Sequence, residues 1–292
     1  MIVERPYGTT GFMVSALGLG AAQIGDPNLA ESDVADVLNL ALDAGCGLID
    51  TAPSYGVSEV RIGRHLVSRR DEMVLSTKLG YGIDGVNDWT GPCITAGVER
   101  ALVRLRVTHI DIAHLHSCPR GTLEQGEVID ALDRAKRDGK IRALAYSGDN
   151  EDLRFAVNCG RFDGFMASLN LCDQQVMDEL LPKMANKGFI AKRAAANHPW
   201  RFETRPAGDY CETYWRRWRA MNIDPLGLPW GELAIRFSCQ TPGVSSAIVG
   251  TASAARLAEN IAWMAKGPLP ASLYHAVRGA FQQHGEAWHG EV

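Results

Sequence analysis

The sequence predicts an α/β protein of the (β/α)8 barrel class, on three observations. Short β-branched runs alternate with stretches of helical period from near residue 15 to near residue 265. Eight such runs occur, each about the length of a buried strand, and 292 residues suit eight βα units in one barrel. No Gly-x-Gly-x-x-Gly follows the first run, as an open dinucleotide-binding sheet would require.

In chain order, residues 1–14 read as a hairpin, with Tyr7-Gly8-Thr9-Thr10-Gly11 between two extended runs. The strands are then expected at Ala16–Gly20, Gly47–Ala52, Met73–Lys78, Ile110–His116, Ile141–Ser147, Gly164–Leu169, Phe189–Arg193 and Ser246–Gly250. Between the first two, Glu31–Ala44 carries Val34, Val37, Leu38, Ala41 and Leu42 at three-four spacing, with Glu31 and Asp33 in its first turn and Gly45 as its stop. Val57–Ser68, Ile94–Leu105, Val128–Asp138, Asn150–Asn158, Gln174–Asn186 and Ala254–Ala265 read as further helices, and Gly139, Gly160 and Gly188 as stops after three of them. Residues 196–245 stand outside the repeat as a long insertion, and 266–292 as a C-terminal extension of the same single domain, 1–292. Within the insertion, Tyr214, Trp215 and Trp218 fall on one helical face. Packing against the barrel is favoured for it over a substrate-pocket wall.

Composition narrows the function classes. Hydrophobic residues make up 46% and charged ones 22%, as in ordinary globular enzymes. A net charge of -4 without a basic run argues against nucleic acid. Seven scattered cysteines with no Cys-x-x-Cys fit reduced thiols in a cytoplasm. Neither a signal peptide nor a membrane-spanning run is apparent, so a cytoplasmic protein with no membrane partner is expected.

Chemistry gathers at strand ends. Asp50 closes the second strand, Tyr55 follows it, and Lys78 closes the third. A phenol with an ordinary pKa near 10 is a weak acid at neutral pH, but a nearby ammonium stabilises its ionised form, and a carboxylate keeps a buried ammonium charged. Carboxylate, amine and phenol would thus form a proton relay. His114 and His116 share a face of the fourth strand, with His116 nearer the mouth, where a neutral imidazole could orient a carbonyl. A metal is not expected, because His-x-His lacks a third ligand at motif spacing. Thr251–Ser253 lie where the last strand feeds a helix N-terminus, a natural anion site.

Asp50-Thr51-Ala52-Pro53-Ser54-Tyr55-Gly56 with Ser58-Glu59 and Gly63, Ser76-Thr77-Lys78, Asp111 to His116, and Gly139-Lys140-Ile141-Arg142 leading to Ser147 together resemble the aldo-keto reductases. That resemblance covers nearly the whole chain. It implies reduction of an aldehyde, ketone or aldose carbonyl, or the reverse, with NADP(H) preferred and NAD(H) possible. Tyr55 would be the proton donor, Lys78 would tune it, Asp50 would hold Lys78, and His116 would orient the carbonyl. The resemblance also places Gly20, Asp50, Ser147, Arg193, Gly250, Thr251, Arg256, Glu259 and Asn260 around the cofactor, with Arg256 at the 2′-phosphate and Glu259 and Asn260 at the adenine. Three positions depart from the family pattern. Gly250 stands where many members have Lys, and Gly148 and Met166 stand where Asn and Gln often bond the carboxamide, which would shift to backbone groups, Asn170 or Asp149. At the end of the seventh strand, Lys192 and Arg193 replace an aromatic ring, and a guanidinium can stack in its place. Two other readings stay open: a lyase forming a Schiff base on Lys78, and a non-catalytic nicotinamide-binding regulatory subunit.

Overall fold

The computed structural model describes residues 2–291. Its eight parallel strands close into a barrel, in the order β10-β3-β4-β5-β6-β7-β8-β9. They are β3 (Leu17–Gly20), β4 (Leu48–Asp50), β5 (Val74–Leu79), β6 (Ile110–His116), β7 (Ile141–Ser147), β8 (Gly164–Ser168), β9 (Gly188–Lys192) and β10 (Ser246–Gly250). All eight expected strands are present, three of them (β6, β7 and β10) with the expected bounds and the others shifted or trimmed by one or two residues at an end.

The hairpin pairs β1 (Glu4–Pro6) with β2 (Met13–Ser15) in antiparallel register. Its tip turns Tyr7, Phe12 and Val14 into an apolar plug with Leu48, Ile112, Ala143, Ala145, Met166, Ile190 and Ile248. Tyr7 lies against Gly164 and Gly188, the first residues of β8 and β9, where any side chain would overlap its ring. The plug therefore fills the N-terminal mouth of the barrel, and ligand access is left at the opposite rim.

Outside the strands lie α1 (Glu31–Asp43), α2 (Ser58–Leu66), α3 (Gly91–Leu105), α4 (Arg120–Gln125), α5 (Glu127–Arg137), α6 (Asn150–Asn158), α7 (Gln175–Glu179), α8 (Glu212–Met221), α9 (Trp230–Gln240), α10 (Ala254–Ala265) and α11 (Ala271–His284). In α1 the five predicted positions Val34, Val37, Leu38, Ala41 and Leu42 are the buried ones, and the helix ends as Cys46 N–H bonds Ala41 O past Gly45 at φ 81°. No helix among the described residues is long and apolar enough to cross a membrane.

Three sequence readings are corrected. Gln174–Asn186 is not one helix: α7 stops at Glu179 and a 3-10 turn covers Leu181–Met184, because Pro182 has no N–H to continue the ladder. Gly188 is no helix stop but the head of β9, where it clears Tyr7. Residues 196–245 are not wholly outside the repeat, since α9 within them packs against β10 and α10 as the helix between the last two strands. Every residue of α9 from Gly231 to Cys239 is buried, Glu232 and Arg236 as an ion pair.

The aromatics of that segment mostly pack. Trp200 stacks on Trp230 at 6.2 Å and Trp218 meets Trp230 edge-on at 5.3 Å, all three against the main core. After α11 the chain returns to the C-terminal rim of the barrel. Gly290 exchanges two 2.9 Å hydrogen bonds with Asn150, and Glu291 O accepts from Ser168 Oγ at 2.9 Å.

Candidate active site

Strand register gathers the predicted residues on one rim. Gly250 pairs with Gly20, Gly20 with Asp50, and Asp50 with Ser76, while on the other side His116 pairs with Ser147 and Ser147 with Met166. Two residues beyond Ser76, and so on the same face, Lys78 sends Nζ to 2.6 Å from Asp50 Oδ2. Ser76 Oγ donates to Asp50 Oδ1 at 2.7 Å, and Lys78 Nζ donates also to Thr51 O at 2.9 Å. Burial alone would push the Lys78 ammonium down, but Asp50 and Tyr55 outweigh it and hold its pKa above the usual lysine value. An amine so held lacks the free lone pair that a Schiff base demands.

Tyr55 comes from the loop after β4. Val57 N–H bonds Gly25 O at 3.1 Å, and Gly25 and Gly56 approach so closely that a side chain on either would strike the other strand of the contact. This close packing seats the Tyr55 ring 4.8 Å from Lys78 Nζ, with the His116 ring edge-on at 6.3 Å and 89°.

His116, the last residue of β6, is neutral. Burial first, then the Lys78 and Lys192 cations, push its pKa down to about 3. Its Nδ1 is hydrogen-bonded to the Tyr81 hydroxyl, which also contacts Ser54 Oγ at 2.9 Å. His114 lies deeper, fully buried, with Nε2 3.1 Å from Ser76 Oγ. Because the Ser76 hydroxyl proton goes to Asp50, His114 Nε2–H donates to Ser76 and braces it.

A cavity of about 440 Å³ opens at this rim. It brings together Gly20, Asp50, Tyr55, Lys78, His116, Ser147, Arg193 and Gly250. Thr251, Arg256, Glu259 and Asn260 do not line it. Thr251 is buried and its Oγ1 accepts from Ser253 N–H at 3.0 Å, Ser253 caps α10, Arg256 and Glu259 project from the exposed face of α10, and Asn260 is buried in it.

Several features of the rim escaped sequence reasoning. Tyr81 is one; it sits three residues after Lys78 in a loop with no periodicity to mark it. Lys192 forms an ion pair with Asp149 at 2.7 Å, and burial, opposed in part by Asp149, lowers its pKa. Gln23 lies across Gly250, where a Cβ would stand 2.8 Å or less from its amide group. Gly148 is likewise explained: a Cβ there would be 2.6 Å from the Tyr146 hydroxyl, so no asparagine fits while Tyr146 bonds Cys118 O.

The expected carboxamide substitutes lie off the cavity, although Asn170 Nδ2 is buried with no hydrogen-bond partner among the described residues. Asp149 binds Ser168 N–H and Lys192, Asn170 Oδ1 accepts from Cys172 N–H, and neither residue lines the cavity. Ser147 does line it, and its buried Oγ has no partner among the described residues. The Arg193 guanidinium stacks over Tyr210 at 5.1 Å and donates to the oxygens of Ser168 and Tyr210, with no carboxylate among the described residues bonded to it.

Comparisons with known proteins identify the family and the fold. The Aldo/keto reductase family model matches residues 16–280. L-galactose dehydrogenase of Arabidopsis thaliana is 28% identical, over 88% of this chain and 86% of its own. D-threo-aldose 1-dehydrogenase of a Pseudomonas species is 29% identical, over 93% of this chain and 95% of its own. Among solved structures, one assigned as an aldo-keto reductase of Pseudomonas aeruginosa is 32% identical with a TM-score of 0.71, covering 90% of this chain and 94% of that one. The holo form of an aldo-keto reductase from Bacillus halodurans shares the fold at a TM-score of 0.84 and 23% identity, over 96% of each chain. An oxidoreductase barrel whose strand ends carry these side chains, matched over this span, is a member of the aldo/keto reductase family.

Proposed function

We propose that the protein interconverts a small carbonyl compound, an aldehyde, ketone or aldose, and its alcohol with a nicotinamide cofactor. The observation that carries this reading is the buried Asp50–Lys78 pair at 2.6 Å, set beneath the Tyr55 ring and beside a neutral His116 on one cavity wall. The residues present suit the cofactor: among the described residues Ser147 offers an unpartnered buried hydroxyl for a carboxamide, Arg193 offers a guanidinium free of carboxylate hydrogen bonds, and Gly20 leaves open backbone at the cavity wall. When bound, that group supplies or accepts the hydride.

The chain's own residues handle the proton. In the reductive direction the Tyr55 hydroxyl donates to the carbonyl oxygen, and Lys78 offsets the charge left on the phenolate. Asp50 keeps Lys78 charged and aimed, with Ser76 and Thr51 fixing the pair. A neutral His116 orients the carbonyl oxygen without competing as an acid.

NADP(H) is the preferred cofactor in this reading, and NAD(H) the second. Arg256 sits in the first turn of α10, capped by Ser253, and forms no ion pair among the described residues, which suits a 2′-phosphate at a helix N-terminus. Glu259 and Asn260 of the same helix would meet the adenine, and Thr251 would shape the approach. An NADH-specific methylglyoxal reductase of Escherichia coli, 27% identical over 83% of this chain, keeps the second cofactor in the test. The seven unpaired cysteines support a reducing compartment, the cytoplasm. The experiment is to follow NADPH and NADH absorbance against a panel of aldehydes, ketones and sugars, and oxidised cofactors against alcohols and aldoses. Turnover of a carbonyl or aldose with either cofactor supports the reading, and cofactor binding with no turnover across the panel overturns it in favour of a regulatory subunit.

A further inference from the structure

A neutral imidazole carries a single proton, and which nitrogen holds it decides what the ring can do for a carbonyl oxygen. On His116, Nδ1 is the nitrogen bonded to Tyr81, and Nε2 has no bond among the described residues. Two proton arrangements fit the chain Ser54–Tyr81–His116. In one, Ser54 donates to Tyr81 and Tyr81 donates to Nδ1, leaving Nε2 protonated. In the other, Nδ1–H donates to Tyr81 and Tyr81 donates to Ser54, leaving Nε2 as a bare lone pair that would repel a carbonyl oxygen.

The chemistry of the three groups chooses between them. A phenol is a stronger donor than an alcohol, an imidazole nitrogen is a stronger acceptor than a hydroxyl, and strong donors pair best with strong acceptors. The first arrangement makes that match at Tyr81–His116, while the exposed Ser54 hydroxyl is free to rotate into donation. The Tyr81 phenol also stays protonated, because burial raises its pKa more than Ser54 and Lys78 lower it.

The loop after β5 holds this phenol in place. Gly80, at φ 134°, lets the Trp89 ring lie directly on the backbone, and Trp89 N–H bonds Gly80 O at 2.7 Å. Trp89 then meets the Tyr81 ring edge-on at 6.1 Å, while on its other side Tyr81 lies 5.6 Å from the His116 ring. Arg100 donates to the carbonyl oxygens of both Tyr81 and Gly82. Together these contacts fix one hydroxyl on one nitrogen.

We infer that Tyr81, backed by Ser54, is a positioning residue that locks His116 in the Nε2–H tautomer, so that the ring presents a donor to the substrate's oxygen. The inference rests on the proposed carbonyl chemistry only for its consequence; the tautomer itself is a property of the resting protein.

The test is nitrogen-15 NMR of histidine-labelled protein, with His116 assigned by its loss in His116→Gln. In the native chain Nδ1 is expected at the shift of a bare nitrogen and Nε2 at that of a protonated one, unchanged from pH 8 to pH 5. In Tyr81→Phe, which keeps the ring between Trp89 and His116, both signals should move toward averaged values. Turnover of the best carbonyl substrate should fall roughly tenfold, as loss of one positioning hydrogen bond allows, with cofactor Kd changed by less than about twofold. Ser54→Ala should give a smaller shift in the same direction, which keeps the test decisive if Tyr81→Phe fails to fold. A native Nδ1–H signal, or variants that leave both shifts where they were, would overturn the inference. Absence of turnover in the native protein would instead count against the carbonyl reading and leave the tautomer result standing.

Discussion

Lys78 Nζ lies 2.6 Å from Asp50 Oδ2 with both side chains almost wholly removed from solvent, 2% and 1% exposed. A charge pair this deep gains its Coulomb energy only by giving up hydration, so the pair matters most when one member is removed. Asp50→Asn would leave Lys78 buried beside a neutral amide. It should cost about 3–5 kcal/mol in urea unfolding, and the double variant Asp50→Asn/Lys78→Met should recover much of that. Equal stability of Asp50→Asn and the native chain would mean the lysine is not charged in place.

Arg256 and the first turn of α10 carry the proposed phosphate contact, since Gly250 brings no side chain to it and Gln23 occupies the space above. Arg256→Ala should raise KM for NADPH by about 10-fold or more while leaving KM for NADH nearly unchanged, as expected for loss of a charge-assisted hydrogen bond. Equal effects on both cofactors would move the 2′-phosphate elsewhere, or make NADH the natural partner.

Protonation of buried groups sets the acid side of the stability curve. His116 is held to about 3 in the folded chain, against about 6.5 unfolded, so the unfolded chain binds a proton first as pH falls. Its contribution is present above about 6.5 and is lost on the way down to 3. Asp173 works the other way. Burial pushes it up to about 7, so the unfolded chain has released a proton that the folded chain keeps, and stability present near pH 4 is lost as pH rises to 7. Between pH 4 and 6.5, His116→Gln should therefore flatten the rise of Tm with pH, and Asp173→Asn should steepen it. Slopes that change in the opposite senses would reverse these assignments.

The Tyr146 ring beside Gly148 leaves no room for a Cβ. Gly148→Ala should destabilise by about 1–3 kcal/mol, the usual cost of overpacking, and Tyr146→Leu in the same chain should relieve most of it. Additive losses in the double variant would remove the steric explanation.

What could be read before any coordinates follows from where the information sits along the chain. Asp50, Tyr55, Lys78 and His116 each end or follow an apolar run, and the parallel register of β4, β5 and β6 then brings those ends to one rim. Strand existence was legible for the same reason: buried runs bounded by turns have few alternatives. Tyr81 was not, because its role depends on Trp89 and His116 meeting it across a loop with no repeating pattern. The Lys192–Asp149 pair joins β9 to the loop after β7, a contact that exists only once the barrel closes. The helix expected over Gln174–Asn186 failed because apolar spacing outweighed Pro182, whose missing N–H decides the local structure.

The central claim is that Tyr55 gives and takes the proton at this rim, and Tyr55→Phe tests it with the least change of shape. With the best carbonyl substrate from the panel, kcat should fall by roughly 10²- to 10⁴-fold, the usual worth of a general acid, while the Kd of NADPH measured by fluorescence stays within about twofold of native. A Tyr55→Phe enzyme that turns over at the native rate would contradict the account.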